Sequence, residues 1–220
     1  MTKNFFFIYL ILSGFTSFSQ TAFLGKSDPD AKKILDNVSS KFKTYKSLTA
    51  KFNLKIENGE NKVLGTKSGT VYMKGNQYRI SLPGQEIYGN GNNVWTYDKD
   101  ANEVQITPID PTANMITPQK MFTNFYDKDF LYKLNENSDG GKKGLQQIEL
   151  TPVDKTKAFF KVLVDVDKAS QSIKSTKVFE KNGNKYTYNV LSMQANNPLP
   201  ESLFAFNLKD YPNVEVVDLR

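Results

Sequence analysis

QEIYGNGNNVWTYDKDANEVQI, residues 85–106, reads as three short strands joined by two tight turns. Apolar and polar residues alternate on either side of Gly89-Asn90-Gly91-Asn92 and of Asp98-Lys99-Asp100-Ala101-Asn102. Glycine and asparagine supply the positive φ angles that such turns need. The middle strand carries the only tryptophan of the chain, Trp95, and ends Trp95-Thr96-Tyr97-Asp98. A hairpin ribbon of this size is not stable alone, so flanking strands must complete a sheet.

The flanks supply them. Upstream, Ala50, Phe52, Leu54 and Ile56 alternate with Lys51, Asn53, Lys55 and Glu57, a strand with one wet face. After Asn58-Gly59, a second strand sets Gly69, Val71 and Met73 on one side, and beyond Gly75-Asn76 the alternation continues through Tyr78, Ile80 and Leu82. Nothing between Leu48 and Thr107 leaves room for a crossover helix, which predicts antiparallel pairing there. Downstream, residues 145–151, 159–167, 172–181 and 185–195 read as further strands, and a turn at 198–206 feeds a last strand at 214–218. The Asp165-x-Asp167 pair lacks the ligands and glycine of a calcium loop and is read as a turn.

Two segments break the period of two. Asp28-Pro29-Asp30 has the chemistry of a helix start, and Ala31, Ile34, Leu35, Val38 and Phe42 follow on one stripe. Thr117-Pro118 is a second helix start, followed by Met121, Phe122 and Phe125 on one side, residue types suited equally to plain core and to a lid over variable apolar partners.

Composition bounds the chemistry. The 220 residues are predicted to form a leader over 1–19 and one domain over 20–220. Lys3, an apolar run over 5–12 and Ser17-Phe18-Ser19 have the layout of a cleavable signal peptide, so the protein is expected to be exported. The net charge of +6 suits an anionic membrane surface or an acidic partner as well as plain solubility, and no feature points to nucleic acid. With no cysteine and no histidine, thiolate nucleophiles, imidazole bases and Cys- or His-ligated metals are excluded, and neither an enzymatic constellation nor a cofactor is predicted.

The order of these pieces resembles the LolA-type periplasmic lipoprotein carriers. Tyr45-Lys46-Ser47-Leu48-Thr49-Ala50-Lys51-Phe52, Ser68-Gly69-Thr70-Val71-Tyr72-Met73-Lys74, Tyr78-Arg79-Ile80, the Trp95, Tyr97 and Asp98 signature, Thr117-Pro118, Leu203-Phe204-Ala205-Phe206 and Val214-Glu215-Val216-Val217-Asp218 carry the resemblance. Where many members have Lys-Arg-Pro, this chain has Lys74-Gly75-Asn76, which leaves Arg79 as the nearest arginine for that role.

The resemblance implies an unclosed antiparallel β-barrel of ten to eleven strands, covered by the N-terminal helix and a short middle helix. It implies a monomeric carrier that takes acylated lipoproteins from an inner-membrane exporter to an outer-membrane acceptor, with transient membrane contact. In this reading Phe52, Leu54, Val71, Met73, Ile80, Val94, Val104, Val162 and Val164 line an acyl-chain cavity, and Phe42, Met121, Phe122 and Phe125 form its lid. Trp95 and Tyr97, on the opposite parity from Val94, pack on the outer face beneath a helix. A lipoprotein-sensing regulator and a structural β-domain of the same fold are the rival readings.

Overall fold

The computed structural model describes residues 27–109, 126–135 and 144–220. The predicted signal segment, Thr117-Pro118 and the lid residues Met121, Phe122 and Phe125 lie outside them. Twelve strands form one sheet: β1 (Leu48–Glu57), β2 (Val63–Lys74), β3 (Gln77–Leu82), β4 (Gln85–Gly89), β5 (Asn93–Asp98), β6 (Glu103–Pro108), β7 (Phe130–Asn135), β8 (Leu145–Pro152), β9 (Phe159–Asp167), β10 (Ser172–Glu180), β11 (Lys185–Ala195) and β12 (Glu215–Asp218). Their spatial order is β12-β6-β5-β4-β3-β2-β1-β11-β10-β9-β8-β7, so among the described residues β12 and β7 are the edges and the barrel is unclosed. Every neighbouring pair is antiparallel except β12 and β6, which run parallel with Val216 opposite Val104. The count exceeds the predicted ten to eleven because β7, a short edge strand with weak alternation, is added.

One helix, α1 (Pro29–Lys43), crosses the inner face. Its start follows from Asp28, whose Oδ1 accepts from Asp30 N at 2.8 Å and from Ala31 N at 3.4 Å, with Pro29 in the first turn where no N–H is needed. Lys41 and Lys43 sit in its last turn, favoured there by the helix dipole. Ala31, Leu35 and Val38 are buried against Phe130, Tyr132, Ile148, Leu150, Val162, Val164, Val166 and Ile173, so the helix is a packed part of the core.

A second inner cluster gathers Leu48, Met73, Tyr78 and Val94, with Phe42 and Tyr45 from the end of α1 packed against it. Two glycines make room for large neighbours. A Cβ on Gly89 would stand 2.1 Å from Tyr78 Cε1, and one on Gly69 would stand 2.7 Å from both Phe52 Cζ and Leu82 Cδ2. The rings and the leucine occupy the volume that a side chain would need.

The chain after β11 crosses to the outer face of β3–β6 as a strap. It makes two 3₁₀ turns, Glu201–Phe204 and Leu208–Asp210, before joining the sheet edge as β12. Phe204 is 2% exposed, and the Phe206 ring lies 5.6 Å from the rings of both Tyr88 and Tyr97 and 4.5 Å from Tyr211. Polar ties fix its start: Lys74 Nζ donates to Leu199 O at 3.1 Å and pairs with Glu201 at 2.6 Å, and Ser47 Oγ donates to Asn197 O at 2.5 Å. Trp95 and Tyr97 do pack on the outer face, but beneath this strap and not beneath a helix.

Candidate functional site: the inner face of the sheet

Residues directly opposite in a ladder share a face of the sheet. One row runs Leu54, Tyr188, Thr176, Val164, Ile148, Leu134 across six strands. Another runs Ala50, Val71, Ile80, Ile87, and a third Leu48, Met73, Tyr78, Gly89, Val94. Phe52 stands opposite Gly69 and Val162 opposite Val178. Eight of the nine predicted cavity residues therefore stand on the inner face: Phe52, Leu54, Val71, Met73, Ile80, Val94, Val162 and Val164.

Val104 does not. The β5–β6 hairpin sets Val94 opposite Thr107 and Tyr97 opposite Val104, so Val104 takes the face of Tyr97. It is fully buried in the outer core. The physical reason is parity: a ladder with an odd sum of partner positions can never bring two even-numbered residues to one face.

The inner wall is graded in burial. Met73, Val94, Val162 and Val164 are closed into the two clusters, at 3–6% exposure. Phe52, Leu54, Ile56, Val71, Ile80, Leu82 and Ile87 are only half-buried, a continuous apolar area on β1–β4. Where α1 meets β10 and β11 the packing is tight, with a void of only about 10 Å³ between Val38, Phe42, Tyr45, Ile173 and Met193. Phe42, the predicted lid residue within the described part, is half-buried and makes an edge contact with Tyr45 at 6.0 Å.

The wall is also electrically quiet. Burial pushes the phenols of Tyr78 and Tyr188 above the usual tyrosine range, so both stay protonated and neutral at physiological pH. Lys67, opposite Leu54 near the β1–β2 turn, is the exposed cation at its margin. Such a surface has little to offer a polar ligand and can shed water in favour of hydrocarbon.

The outer face holds the polar chemistry. Glu86, 4% exposed, accepts from Arg79 Nε at 3.0 Å, Ser81 Oγ at 2.8 Å and Lys99 Nζ at 2.8 Å. Burial, the strongest influence on this carboxyl, raises its pKa; the bonds from Lys99, Ser81 and Arg79 together outweigh it and leave the pKa below the usual glutamate value. The Arg79 guanidinium stacks 5.0 Å over the Tyr88 ring, and the Tyr88 and Tyr211 hydroxyls are 3.1 Å apart. Arg79 is thus held on the face opposite the apolar wall. Asp98 accepts from Asp100 N and Ala101 N and so builds the β5–β6 turn, while Tyr97 OH donates to Asn102 Oδ1. Trp95 borders a pocket of about 220 Å³ beneath the strap. Asp165 accepts from Gln147 Nε2 and Ser175 Oγ, and Asp167 from Ser170 N, which employs both carboxylates in the fold.

Sequence reasoning missed Glu86, Phe206 and Tyr211 as partners of the signature region. The parity of Glu86 with Tyr97 was the available signal for the first; the strap contacts are long-range and leave none.

The family model described as outer membrane lipoprotein carrier protein LolA matches residues 43–207. The chain belongs to the LolA family. Comparison with curated protein sequences finds no match. Among solved structures, an uncharacterized conserved protein from Thermus thermophilus superposes with a TM-score of 0.55 at 13% identity, covering 86% of this chain and 99% of its own. A LolA superfamily protein from Nitrosomonas europaea gives 0.43 at 14% identity, with 80% and 97% covered, and LprF from Mycobacterium bovis 0.44 at 10%, with 80% and 99% covered. The first of these shares the fold.

Proposed function

We propose that this LolA-family protein is a periplasmic carrier that shelters the acyl chains of lipoproteins against the half-buried wall of β1–β4 and moves them between the inner and outer membranes. The observation that carries the reading is the graded inner face: apolar, with Lys67 at its margin, and open around Phe52, Leu54, Val71, Ile80 and Ile87 while closed elsewhere. Family membership adds to it. The physical need is clear, since each methylene buried is worth about 0.8 kcal/mol and a single long chain left in water costs on the order of 10 kcal/mol. A carrier must offset most of that and still release its cargo, and partly exposed side chains serve this better than a fully interlocked core. In this reading the predicted lid, including Met121, Phe122 and Phe125, closes over the bound chain, and an exporter and an acceptor are the handover partners.

The test is mass spectrometry of what accompanies the exported protein purified without detergent. Diacylglyceryl-modified peptides are expected, and Ile80→Glu is expected to remove them with the circular dichroism spectrum unchanged. Protein that emerges free of any acylated molecule, under conditions where a known carrier retains its own, overturns the reading.

A further inference from the structure

Four of the exposed large apolar side chains, Val63, Leu64, Val153 and Phe160, are 51, 59, 43 and 50% exposed and lie at one end of the sheet. This is the end where β1 turns into β2, β8 into β9 and β10 into β11. The three turns are tied to one another. A Cβ on Gly183 would lie 3.4 Å from Gly59 Cα, Lys185 Nζ bonds Asn61 Oδ1, and Lys181 donates through its N–H to Ala158 O at 2.9 Å and through Nζ to Lys155 O at 2.5 Å. The rim is therefore one braced surface. Phe160 is the extra residue of a bulge, since β10 pairs Phe179 with Lys161 and then Glu180 with Phe159, and bulges re-aim side chains.

The charge of the molecule is concentrated on the same rim. Residues 153–161 carry three lysines and one aspartate, residues 177–185 three lysines and one glutamate, and the charges of 55–64 cancel. The three segments together hold a net four of the six positive charges of the chain, one of which, on Lys157, is buried against the rings of Phe130 and Phe159. Lys161 and Lys177 lie 4.6 and 5.4 Å over the Phe179 ring, whose partner at 6.2 Å is Phe160. The β5–β6 turn at the same end, with Asp98, Asp100 and Glu103 against the single Lys99, is net negative, so the positive field lies to one side.

We infer that this rim docks on the surface of an anionic phospholipid membrane. The apolar residues are separate tips set among lysines, spread from β2 to β9 over four strand spacings, roughly 19 Å. Shallow insertion of isolated tips among lipid headgroups, with lysines at the phosphates, is what this spacing fits. Each lysine near an anionic surface raises partition by about fivefold. The inference deepens the carrier reading, in which transient membrane contact is expected, by naming the surface that makes it, and it is testable without cargo because the rim is an outer surface distinct from the apolar wall.

The experiment is cosedimentation of cargo-free, delipidated protein with vesicles of phosphatidylethanolamine and phosphatidylglycerol, against vesicles of phosphatidylcholine alone. Binding to the anionic vesicles at least tenfold stronger, and lost in 0.5 M salt, is expected. Lys155→Glu combined with Lys161→Glu is expected to weaken it by more than tenfold, and Leu64→Ser combined with Phe160→Ser to weaken it severalfold, whereas Lys209→Glu on the strap leaves it nearly unchanged. Circular dichroism confirms that each variant is folded. Absence of binding, equal binding to both vesicle types, or equal losses from the rim variants and Lys209→Glu would overturn the inference; the last two would mean hydrophobic adhesion or net charge alone, and the first an acidic protein as the rim's partner. Lipoprotein co-purification is unaffected by these outcomes, so the two readings fail separately.

Discussion

The backbone N–H of Leu134 on the edge strand β7 donates to Asp28 Oδ2 at 3.1 Å, while the other oxygen of Asp28 caps α1. One carboxylate thereby fastens the helix to the strand that would otherwise be the least supported in the sheet. The bond from Leu134 N, followed by that from Asp30 N, holds the Asp28 pKa below its ordinary value of 3.8. Asp28→Ala is expected to lower stability by about 1–2 kcal/mol in urea titration. A depressed carboxylate pKa stabilises the fold above the unfolded value and loses that contribution as pH falls through the folded one. The gap between wild type and Asp28→Ala should therefore be full at pH 6 and shrink below pH 4.

Glu86 makes a second acid-sensitive contact. Its pKa also lies below the ordinary value of 4.5, so its bonds to Arg79 and Lys99 contribute above that pH and weaken below it. Glu86→Ala leaves Arg79 without its carboxylate and Tyr88 beneath an uncompensated cation. A loss of about 2 kcal/mol is expected, with Arg79→Ala in the Glu86→Ala background costing much less than alone, read as a double-mutant cycle.

Gly89 tests the close approach of the Tyr78 ring. Gly89→Ala places a methyl 2.1 Å from Tyr78 Cε1, and a loss of about 1–3 kcal/mol is expected by thermal denaturation. Tyr78→Ala should suppress most of the additional cost of Gly89→Ala, since the ring is then gone. Equal costs in both backgrounds would mean that the ring swings aside freely.

Val104 and Val71 should separate stability from binding. Val104 is fully buried under the strap, and Val104→Ala is expected to cost about 2 kcal/mol with little effect on the acylated material that co-purifies. Val71, half-buried on the inner wall, should behave in the opposite way: a small change in denaturation midpoint and a larger drop in bound lipid. The check is denaturation and lipid extraction on the same two variants.

Much of this architecture was legible because its strands have one wet face. Alternation from Ala50 to Ile56 and from Tyr78 to Leu82, with turns at Gly75 and Gly91, located the first six strands, and Asp28-Pro29 located the helix before them. The expectation for Val104 failed through parity across the four-residue turn 99–102, although Val94 and Tyr97 had been placed on opposite faces. β7 was passed over because Phe130-Leu131-Tyr132-Lys133-Leu134 has an apolar residue at Leu131 on the wrong beat. The strap was read as a turn and a strand, since nothing local in Leu203-Phe204-Ala205-Phe206 announces that Phe206 will meet Tyr88 from more than a hundred positions away. Arg79 was offered for the role of the family's turn arginine because its partner Glu86 lies across a hairpin, on the neighbouring strand.

The seam between β1 and β11 pairs Leu48 with Ala195 and Glu57 with Lys185. The two halves of the sheet thus meet along strands made near the beginning and near the end of synthesis. Such a topology delays the decisive zipping until almost the entire polypeptide is available, and proteins rich in distant pairings fold slowly. A nascent chain of this kind stays threadable through a narrow translocation channel for most of its length, and locks only once its final third has emerged.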